Sequence, residues 1–273
     1  MNAITFPGLN LEFNIDPIAI NIGDISIYWY GIIVTIAFII GILLLKKKDG
    51  LFNMKFDDIM TLLIFLIPIS ILSARMYYVV FNLDFYLSNP IEIINIRSGG
   101  LAIYGGIIGA AITGALFCKI KKISLLDLSD FLVPSLAIGQ AIGRLGNFIN
   151  IEAYGEKTSL PWRMGMYEGN NYIEVHPTFL YEMIITFAIF IFLSLKKDKR
   201  KFKGEFTYLY LIIYSFFRIL IENLRTDSLM LGTFKISALL SVIVFLVFLL
   251  LYLYNILTFI KAKNRNNNDN VKK

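Results

Sequence analysis

Three arginines stand within otherwise apolar runs of this sequence, where a cation could bind an anion. Arg144 lies in the string Gly143–Asn150, while Arg75 and Arg218 lie in two other apolar runs. A permanent cation at membrane depth costs about 3 kcal/mol on insertion scales. Guanidinium binds carboxylates and phosphates through two parallel hydrogen bonds, so Arg144 predicts an anionic partner. That partner is either a protein carboxylate or a ligand.

The polar residues around Arg144 would share one helix face. Gln140, Arg144 and Asn147 are spaced by four and three residues, which places them on the same side of a helix. Glu152 and Gly155 follow where the chain would leave the membrane. The pattern is typical of a ligand site at the membrane boundary. The alternative is a structural Arg144–Glu152 pair, with the flanking glycines serving helix packing.

A second stripe of polar residues surrounds Arg218. Tyr214, Arg218, Glu222 and Arg225 are spaced by four, four and three residues, and Asp227 follows. One helix face would therefore carry a hydroxyl, two guanidiniums and a carboxylate. Arg218 could simply pair with Glu222 in its own helix. Two arginines from different helices would instead suit a phosphate.

Three further residues are candidates for a site, each with a structural alternative. Tyr104 opens a glycine-rich helix, where Gly105 and Gly109 also predict close helix packing. His176 precedes a proline that suits a first helical turn, but a lone histidine is often structural. Tyr30 could belong to an aromatic belt. Glu182 does not share the face of His176, so we expect it to orient another helix through a buried hydrogen bond.

The elements that would position these residues are transmembrane helices. The 273 residues are 57% hydrophobic with a mean hydropathy of +0.67, well above a soluble domain. Several apolar runs are long enough to cross a bilayer as helices. The fold class predicted is all-α, a polytopic membrane protein with about seven spans. The predicted spans are 25–45, 58–81, 101–118, 127–149, 177–195, 206–224 and 236–260.

Charge placement predicts the direction of these spans. Most of the 26 Lys and Arg residues fall in segments that follow the odd-numbered spans. The positive-inside rule assigns those segments to the cytoplasm, so the N-terminus is predicted outside and the C-terminus inside. Residues 1–260 would form one transmembrane catalytic domain, with an outward arm at 82–100 and an outward cap at 150–176. Residues 261–273 are predicted to be a disordered, basic and polar cytoplasmic tail.

Composition also narrows the chemistry. The single Cys118 and the single His176 argue against a cysteine cluster or a multi-histidine site, so we expect no metal. No organic cofactor is expected either. The net charge of +6 is explained by the cytoplasmic segments, so no nucleic-acid partner is expected. The first 24 residues lack Lys and Arg, unlike a signal peptide, and are expected to be a short tail. A lipid or anion transporter with intramembrane arginines is the main alternative to an enzyme.

The chain resembles the prolipoprotein diacylglyceryl transferase family over nearly its whole length. The most specific match is Gly143-Arg144-Leu145-Gly146-Asn147-Phe148-Ile149-Asn150 with the following Glu152 and Gly155. Supporting matches are Trp29–Gly31, Ser98–Gly109, His176–Glu182 and Tyr214–Arg225.

The resemblance implies transfer of the diacylglyceryl group from phosphatidylglycerol to the lipobox cysteine of a prolipoprotein. A thioether forms and glycerol phosphate leaves. The implied partners are phosphatidylglycerol, the prolipoprotein signal peptide and membrane lipid. The enzyme is expected to act as a monomer in the bacterial plasma membrane, with its active site facing outward. The candidate catalytic residues are Arg144, Arg218, Tyr104, Glu152 and His176. The candidate substrate-binding residues are Arg144, Asn147, Tyr30, Gly155, Tyr214, Glu222 and Arg225.

Two positions depart from the family pattern. Tyr104 stands where many members carry a histidine, and Phe179 stands where glutamine is common. Tyrosine ionises near pH ~10 and is a poor base at neutrality. The hypothesis is that a cationic pocket lowers the pKa of the substrate thiol, so that no strong base is required. Tyr104 would then be a hydrogen-bond partner, and Glu152 or His176 would accept the proton.

Overall fold

The structure is a computed structural model, and it describes residues 2–96, 99–226, 230–232 and 234–271. Arg97, which falls within the predicted arm, and Asp227, which follows the Arg218 stripe, lie outside the described residues.

Seven of the described helices are long and apolar enough to cross a membrane, which confirms a multi-pass membrane protein. The helices are α1 (Trp29–Lys47), α2 (Phe56–Val80), α3 (Leu83–Ser88, too short to span), α4 (Ile103–Lys121), α5 (Leu125–Asn150), α6 (Thr178–Leu195), α7 (Glu205–Leu224) and α8 (Ile236–Val271). Lysines occupy the last turn of α1 and α4, and aspartates occupy the first turn of α2, as the helix dipole favours. The predicted direction of the spans stays a prediction.

The last helix is longer than expected. α8 continues to Val271, so residues 261–271 are helical where a disordered tail was predicted. A long apolar helix is already nucleated, and adding residues to its end requires no new nucleus.

The chain divides into two compact units. Unit 1 comprises residues 1–47 and 132–273, and unit 2 comprises residues 48–131. Unit 1 contains α1, α6, α7, α8 and most of α5, so both arginine stripes of the sequence belong to it.

In unit 2, α2 and α4 pack closely through glycines. A Cβ at Gly105 would lie 2.4 Å from the backbone oxygen of Ser73, and one at Gly109 would lie 2.5 Å from Ser73 Oγ. The predicted small-residue packing of this helix is therefore confirmed.

In unit 2, backbone carbonyls accept the hydrogen bonds of Arg75, the first of the three arginines in apolar runs. Arg75 is buried and donates hydrogen bonds to backbone carbonyls of the 82–100 segment. The acceptors are the carbonyl oxygens of Glu92, Ile93, Asn95, Gly99 and Gly100. Its guanidinium also lies 5.1 Å from the centre of the Tyr86 ring. Arg75 therefore holds the 82–100 segment in a folded conformation.

Unit 1 carries a small antiparallel sheet formed by two distant parts of the chain. Its strands are β1 (Asn2–Phe6), β2 (Leu11–Ile15), β5 (Met164–Glu168) and β6 (Asn171–Val175), in the order β2-β1-β5-β6. Ile4 pairs with Met166, and Ile4 and Met164 are fully buried in a core that includes Phe179 of α6. The expectation of a short N-terminal tail is therefore wrong, because alternating apolar residues of the first strand complete the core of the 150–176 cap.

Two hairpins complete unit 1. β3 (Ile18–Ile22) pairs with β4 (Ile25–Tyr28) immediately before α1, and β7 (Met230–Leu231) pairs with β8 (Phe234–Lys235) before α8. The fold is thus mostly helical, as predicted, with small strand additions at the helix ends.

The helices α6 and α7 are joined by an ion pair where the chain connects them. Glu205 at the start of α7 is fully buried and pairs with Lys196, the residue after α6. Its other carboxylate oxygen accepts the backbone N–H of Lys201. This contact lies at the opposite end of α6 from Glu182.

Candidate active site

The C-terminal ends of α5 and α7 meet the N-terminal end of α6. The chain between α5 and α6 holds these ends together, because Gly155 N–H donates to His176 O (2.8 Å) and Glu156 N–H donates to Leu224 O (2.7 Å). Arg144, Glu182 and Arg218 all lie near this junction. The three residues are far apart along the chain. Each lies near the end of a different helix, and the packing of these helix ends brings them into contact.

Glu182 is the centre of the charged cluster. One carboxylate oxygen accepts a hydrogen bond from Arg144 Nη2, and the other accepts one from Arg218 Nη1. Arg225 Nη1 lies 3.6 Å from the second oxygen. The Glu182 side chain is only 2% exposed, while those of Arg144 and Arg218 are 23% and 15% exposed. One buried carboxylate therefore bridges two guanidiniums from different helices, and the guanidiniums keep some accessible surface.

Glu222 provides a second buried carboxylate. Arg218 Nη2 lies 2.7 Å from Glu222 Oε2, one turn along the same helix, and the Glu222 side chain is 1% exposed. The contact is an ion pair by distance rather than an aligned hydrogen bond, since this oxygen has no hydrogen-bond donor among the described residues. The pair within α7 that the sequence left open is thus present, and it coexists with the bridge to α6.

Arg144 is linked to Glu152 through an amide. Arg144 Nη1 donates to Asn147 Oδ1 (3.1 Å), and Asn147 Nδ2 donates to Glu152 Oε2 (3.4 Å). Asn150 Nδ2 donates to the other Glu152 oxygen (3.2 Å). The carboxylate that contacts Arg144 directly is Glu182, so Glu152 remains exposed with its oxygens held by two amides.

The backbone around Glu152 is strained. Ile151 and Ala153 have φ values of +52° and +56°, in the left-handed region that side chains disfavour, most of all a β-branched one. Thr178 Oγ1 donates to Ala153 O (2.5 Å) and fixes this turn against α6. Such conformations persist only when surrounding contacts impose them, and they cluster at functional sites.

Aromatic residues of α7 line the cluster. Tyr214 and Tyr210 stack with ring centres 5.8 Å apart, and Tyr210 donates to Gln140 Oε1 of α5 (2.5 Å). A narrow cleft between α6 and α7 has Glu182, Tyr214 and Arg218 as its polar lining. Its remaining lining residues are Ile185, Phe217 and Ile221. The cleft therefore combines a charged end with apolar walls.

Two glycines of the sequence motif allow close approach. A Cβ at Gly146 would lie 2.4 Å from Tyr30 Cδ2, so the Tyr30 ring packs directly on the α5 backbone beside Asn147. A Cβ at Gly155 would lie 2.6 Å from Leu224 O, so Gly155 fits between the cap and the end of α7.

The side chain of the candidate catalytic residue His176 belongs to a separate hydrogen-bond network in the cap. His176 Nδ1 lies 3.2 Å from Tyr181 Oη, which also accepts a hydrogen bond from Trp162 Nε1 (2.8 Å). Tyr104 is the second residue of α4 in unit 2 and is 40% exposed. The structure therefore brings together Arg144, Arg218 and Arg225 with a set of polar residues, and it places His176 in a neighbouring cap network. The polar residues are Asn147, Glu152, Tyr214 and Glu222.

Glu182 is the site residue that the sequence reasoning left out of its candidates. The expectation that it orients another helix through a buried hydrogen bond is confirmed. The signal was present, because a carboxylate five residues into an apolar span needs a cation just as Arg144 needs an anion.

The fold and cluster define a class of protein, a multi-pass membrane protein with a buried arginine–carboxylate site at the ends of three spans. A sequence model described as prolipoprotein diacylglyceryl transferase matches residues 17–254. A phosphatidylglycerol–prolipoprotein diacylglyceryl transferase of Finegoldia magna is 46% identical over 228 residues, which cover 83% of this chain and 90% of the relative. A protein of the same name from Clostridioides difficile is 42% identical over 252 residues, covering 92% of this chain and 98% of the relative.

A third relative of that name, from Bacillus cytotoxicus, is 42% identical over 236 residues, covering 84% of this chain and 87% of the relative. The chain therefore belongs to the prolipoprotein diacylglyceryl transferase family.

Proposed function

We propose that this protein transfers the diacylglyceryl group of phosphatidylglycerol to the cysteine thiol of a prolipoprotein. The products are a thioether-linked lipid and glycerol phosphate. The observation that carries the proposal is the pair of arginines, Arg144 and Arg218, that two helices bring to one buried carboxylate. The family membership of the chain supports the same chemistry.

The lipid phosphate would bind to the accessible faces of the two guanidiniums. Each guanidinium carries five N–H donors in a planar fork, so it can contact a protein carboxylate and still direct other N–H groups at a phosphate. Asn147, Tyr214 and Arg225 surround the same region and would complete the headgroup site.

In the transfer step, the thiolate sulfur attacks the carbon of the diacylglyceryl group that is bonded to the phosphate ester oxygen. The new S–C bond forms as the C–O bond breaks, and the electron pair of that bond leaves with the phosphate oxygen. Negative charge therefore grows on the departing glycerol phosphate. Fixed cations such as Arg144 and Arg218 stabilise this charge without reorganising, which is a large source of catalysis in water-poor sites.

The thiol proton goes to a nearby acceptor, and we assign this role to Glu152. Glu152 is exposed, so a substrate thiol can reach it, and Asn147 connects it to Arg144. His176 is the less suitable acceptor because its Nδ1 is engaged with Tyr181. Tyr104, which belongs to unit 2, is given no step in this proposal.

The two buried carboxylates act through the arginines. Glu182 would hold Arg144 and Arg218 at a fixed separation, and Glu222 would orient Arg218 from its own helix. Tyr30 and Gly155 would contribute by shaping the site, since each packs against backbone next to it. Both carboxylates are therefore positioning residues in this proposal.

Cellular location follows from the same reasoning. The protein would lie in the bacterial plasma membrane with the 150–176 cap and the cluster on the outer side, because the basic segments fall on the other side. A secreted prolipoprotein presents its cysteine on that side. The site is formed within one chain, so a monomer would be sufficient.

The test uses purified protein in liposomes with labelled phosphatidylglycerol and a synthetic lipobox peptide. The expected result is a peptide whose mass rises by one diacylglyceryl group, with no product from a peptide in which serine replaces the cysteine. Arg144→Ala should abolish the product. Arg163→Ala is the matched control, since Arg163 pairs with Glu174 in the cap (2.5 Å), and it should retain activity.

Two outcomes would refute the proposal and indicate a different function. Release of lipid fragments into water without a lipidated peptide would indicate a phospholipase. Movement of unmodified lipid or anion across the liposome membrane, again without a lipidated peptide, would indicate a transporter.

A further inference from the structure

The β3–β4 hairpin is separate from the four-stranded sheet and leads directly into the first spanning helix. Its strands pair in antiparallel fashion, with Asn21 opposite Ser26 and Ile22 opposite Ile25. The turn contains Gly23 at φ +58°, a conformation that glycine adopts without strain. Strand β4 ends at Tyr28, and α1 begins at the next residue.

Between Ile20 and Ile27, the two faces of the hairpin differ sharply in polarity. Side chains alternate between faces along a strand, and directly paired residues share a face. Ile22 pairs with Ile25 and Ile20 pairs with Ile27, so four isoleucines lie on one face. The opposite face carries Asn21 and Ser26, whose side chains hydrogen-bond to each other at 2.8 Å.

The isoleucine face is open in the described part of the chain. Ile20, Ile22 and Ile25 are 53%, 62% and 66% exposed. A contiguous apolar patch on a two-stranded ribbon is unstable in water and marks an interaction surface.

The position of the hairpin identifies the partner of that surface. Trp29 N–H donates to Pro17 O (3.0 Å), which ties the base of the hairpin to the first residue of α1. Tyr28, Trp29 and Tyr30 are exposed there, as residues of an interfacial aromatic belt are. The hairpin is therefore continuous with the exposed surface of a helix long and apolar enough to span the membrane.

We propose that the isoleucine face of the β3–β4 hairpin inserts into the bilayer surface beside α1. The polar face, with Asn21 and Ser26, points to water. The hairpin stays at the interface because its unpaired strand edges need water and would not tolerate the hydrocarbon core. The sequence has no Lys or Arg before Lys46, so apolar contact rather than attraction to anionic headgroups holds it there.

The test places a nitroxide label on each face of the hairpin. Cys118, which is buried, is first replaced by Ala, and single cysteines are then introduced as Ile22→Cys or Asn21→Cys in full-length protein. In nanodiscs, collisions with oxygen report on lipid and collisions with a water-soluble nickel chelate report on water. The label at position 22 should favour oxygen over nickel several-fold relative to the label at position 21.

The adjacent positions serve as matched controls, because they differ in face but not in distance from α1. Equal access of nickel to both labels would place the hairpin in water and overturn the proposal. Shielding of position 22 from both reagents would show that protein covers the face, which also overturns it. The ratio should be the same in zwitterionic and anionic nanodiscs, and a lipid-facing signal only in anionic ones would refute the apolar assignment.

Discussion

Replacing Glu182 with Gln removes one charge from the centre of the cluster while keeping the size of the side chain. The carboxylate is buried and contacts Arg144 and Arg218, so its loss leaves two cations without their shared partner. Removing one partner of a buried ion pair costs about 3–5 kcal/mol. We expect the free energy of unfolding, measured by reversible SDS titration in mixed micelles, to fall by about this amount.

The same substitution should impair catalysis, even though the arginines it frees can bind the lipid phosphate more tightly. A charge-assisted hydrogen bond contributes about 1.5–3 kcal/mol, so misplacing one arginine should lower kcat/KM by about 10-fold to 150-fold. The loss should fall mainly on kcat, because the arginines act on charge that develops in the transition state. A lower KM with unchanged kcat would refute this reasoning, since it would mean that Glu182 only competes with the phosphate.

Lipid should also rescue the stability of the variant. Phosphatidylglycerol, compared with a neutral glycolipid, should stabilise Glu182→Gln more than the unchanged protein, because its phosphate supplies the missing anion. Glu174→Gln is the control, since its carboxylate is half-buried and pairs with Arg163 in the cap. That change should cost under about 1 kcal/mol. Equal losses in the two variants would contradict a special role for Glu182.

Three other substitutions test separate parts of the structure. Arg144→Lys keeps the charge but loses the planar fork, so kcat/KM in the peptide assay should fall at least about 10-fold, and near-normal activity would contradict phosphate binding by the fork. Gly155→Ala places a Cβ against a backbone oxygen of α7 and should destabilise by about 1–3 kcal/mol in SDS titration, whereas Gly139→Ala meets open space and should not. Arg75→Gln leaves carbonyls of the 82–100 segment without donors, so protease cleavage there should accelerate, and unchanged cleavage would show that the segment folds without it.

The sequence predicted the spanning helices well because their signal is local. Hydropathy places six of the spans within a few residues of the helices that form, since an uninterrupted apolar run has few alternatives in a membrane. The seventh helix begins as predicted but continues past residue 260. The first strands were missed for the opposite reason. Asn2–Phe6 pairs with Met164–Glu168, and contacts between residues so far apart leave little trace in either segment.

In the candidate site, too, the local groupings could be predicted from the sequence and the contacts between helices could not. Helical spacing correctly grouped Arg144 with Asn147 and Arg218 with Glu222. Which carboxylate would contact Arg144 depended on how α5, α6 and α7 pack, and Glu182 rather than Glu152 makes that contact. Arg75 donates its hydrogen bonds to backbone carbonyls. Every residue has a backbone carbonyl, so the residue types in the sequence could not identify these acceptors.

The ion pairs at the two ends of α6 and α7 have a consequence for how the chain is assembled. Glu182 of α6 meets Arg218 of α7 at one end, and Lys196 meets Glu205 at the other. Only one antiparallel register satisfies both pairs, because sliding either helix by a turn would leave charges unmatched. The two helices can therefore enter the bilayer as a neutralised hairpin, which spares each buried charge the penalty of about 3 kcal/mol that a lone helix would face. The residues that position the proposed binding site would thus also set the register of α6 and α7 as the new chain enters the membrane.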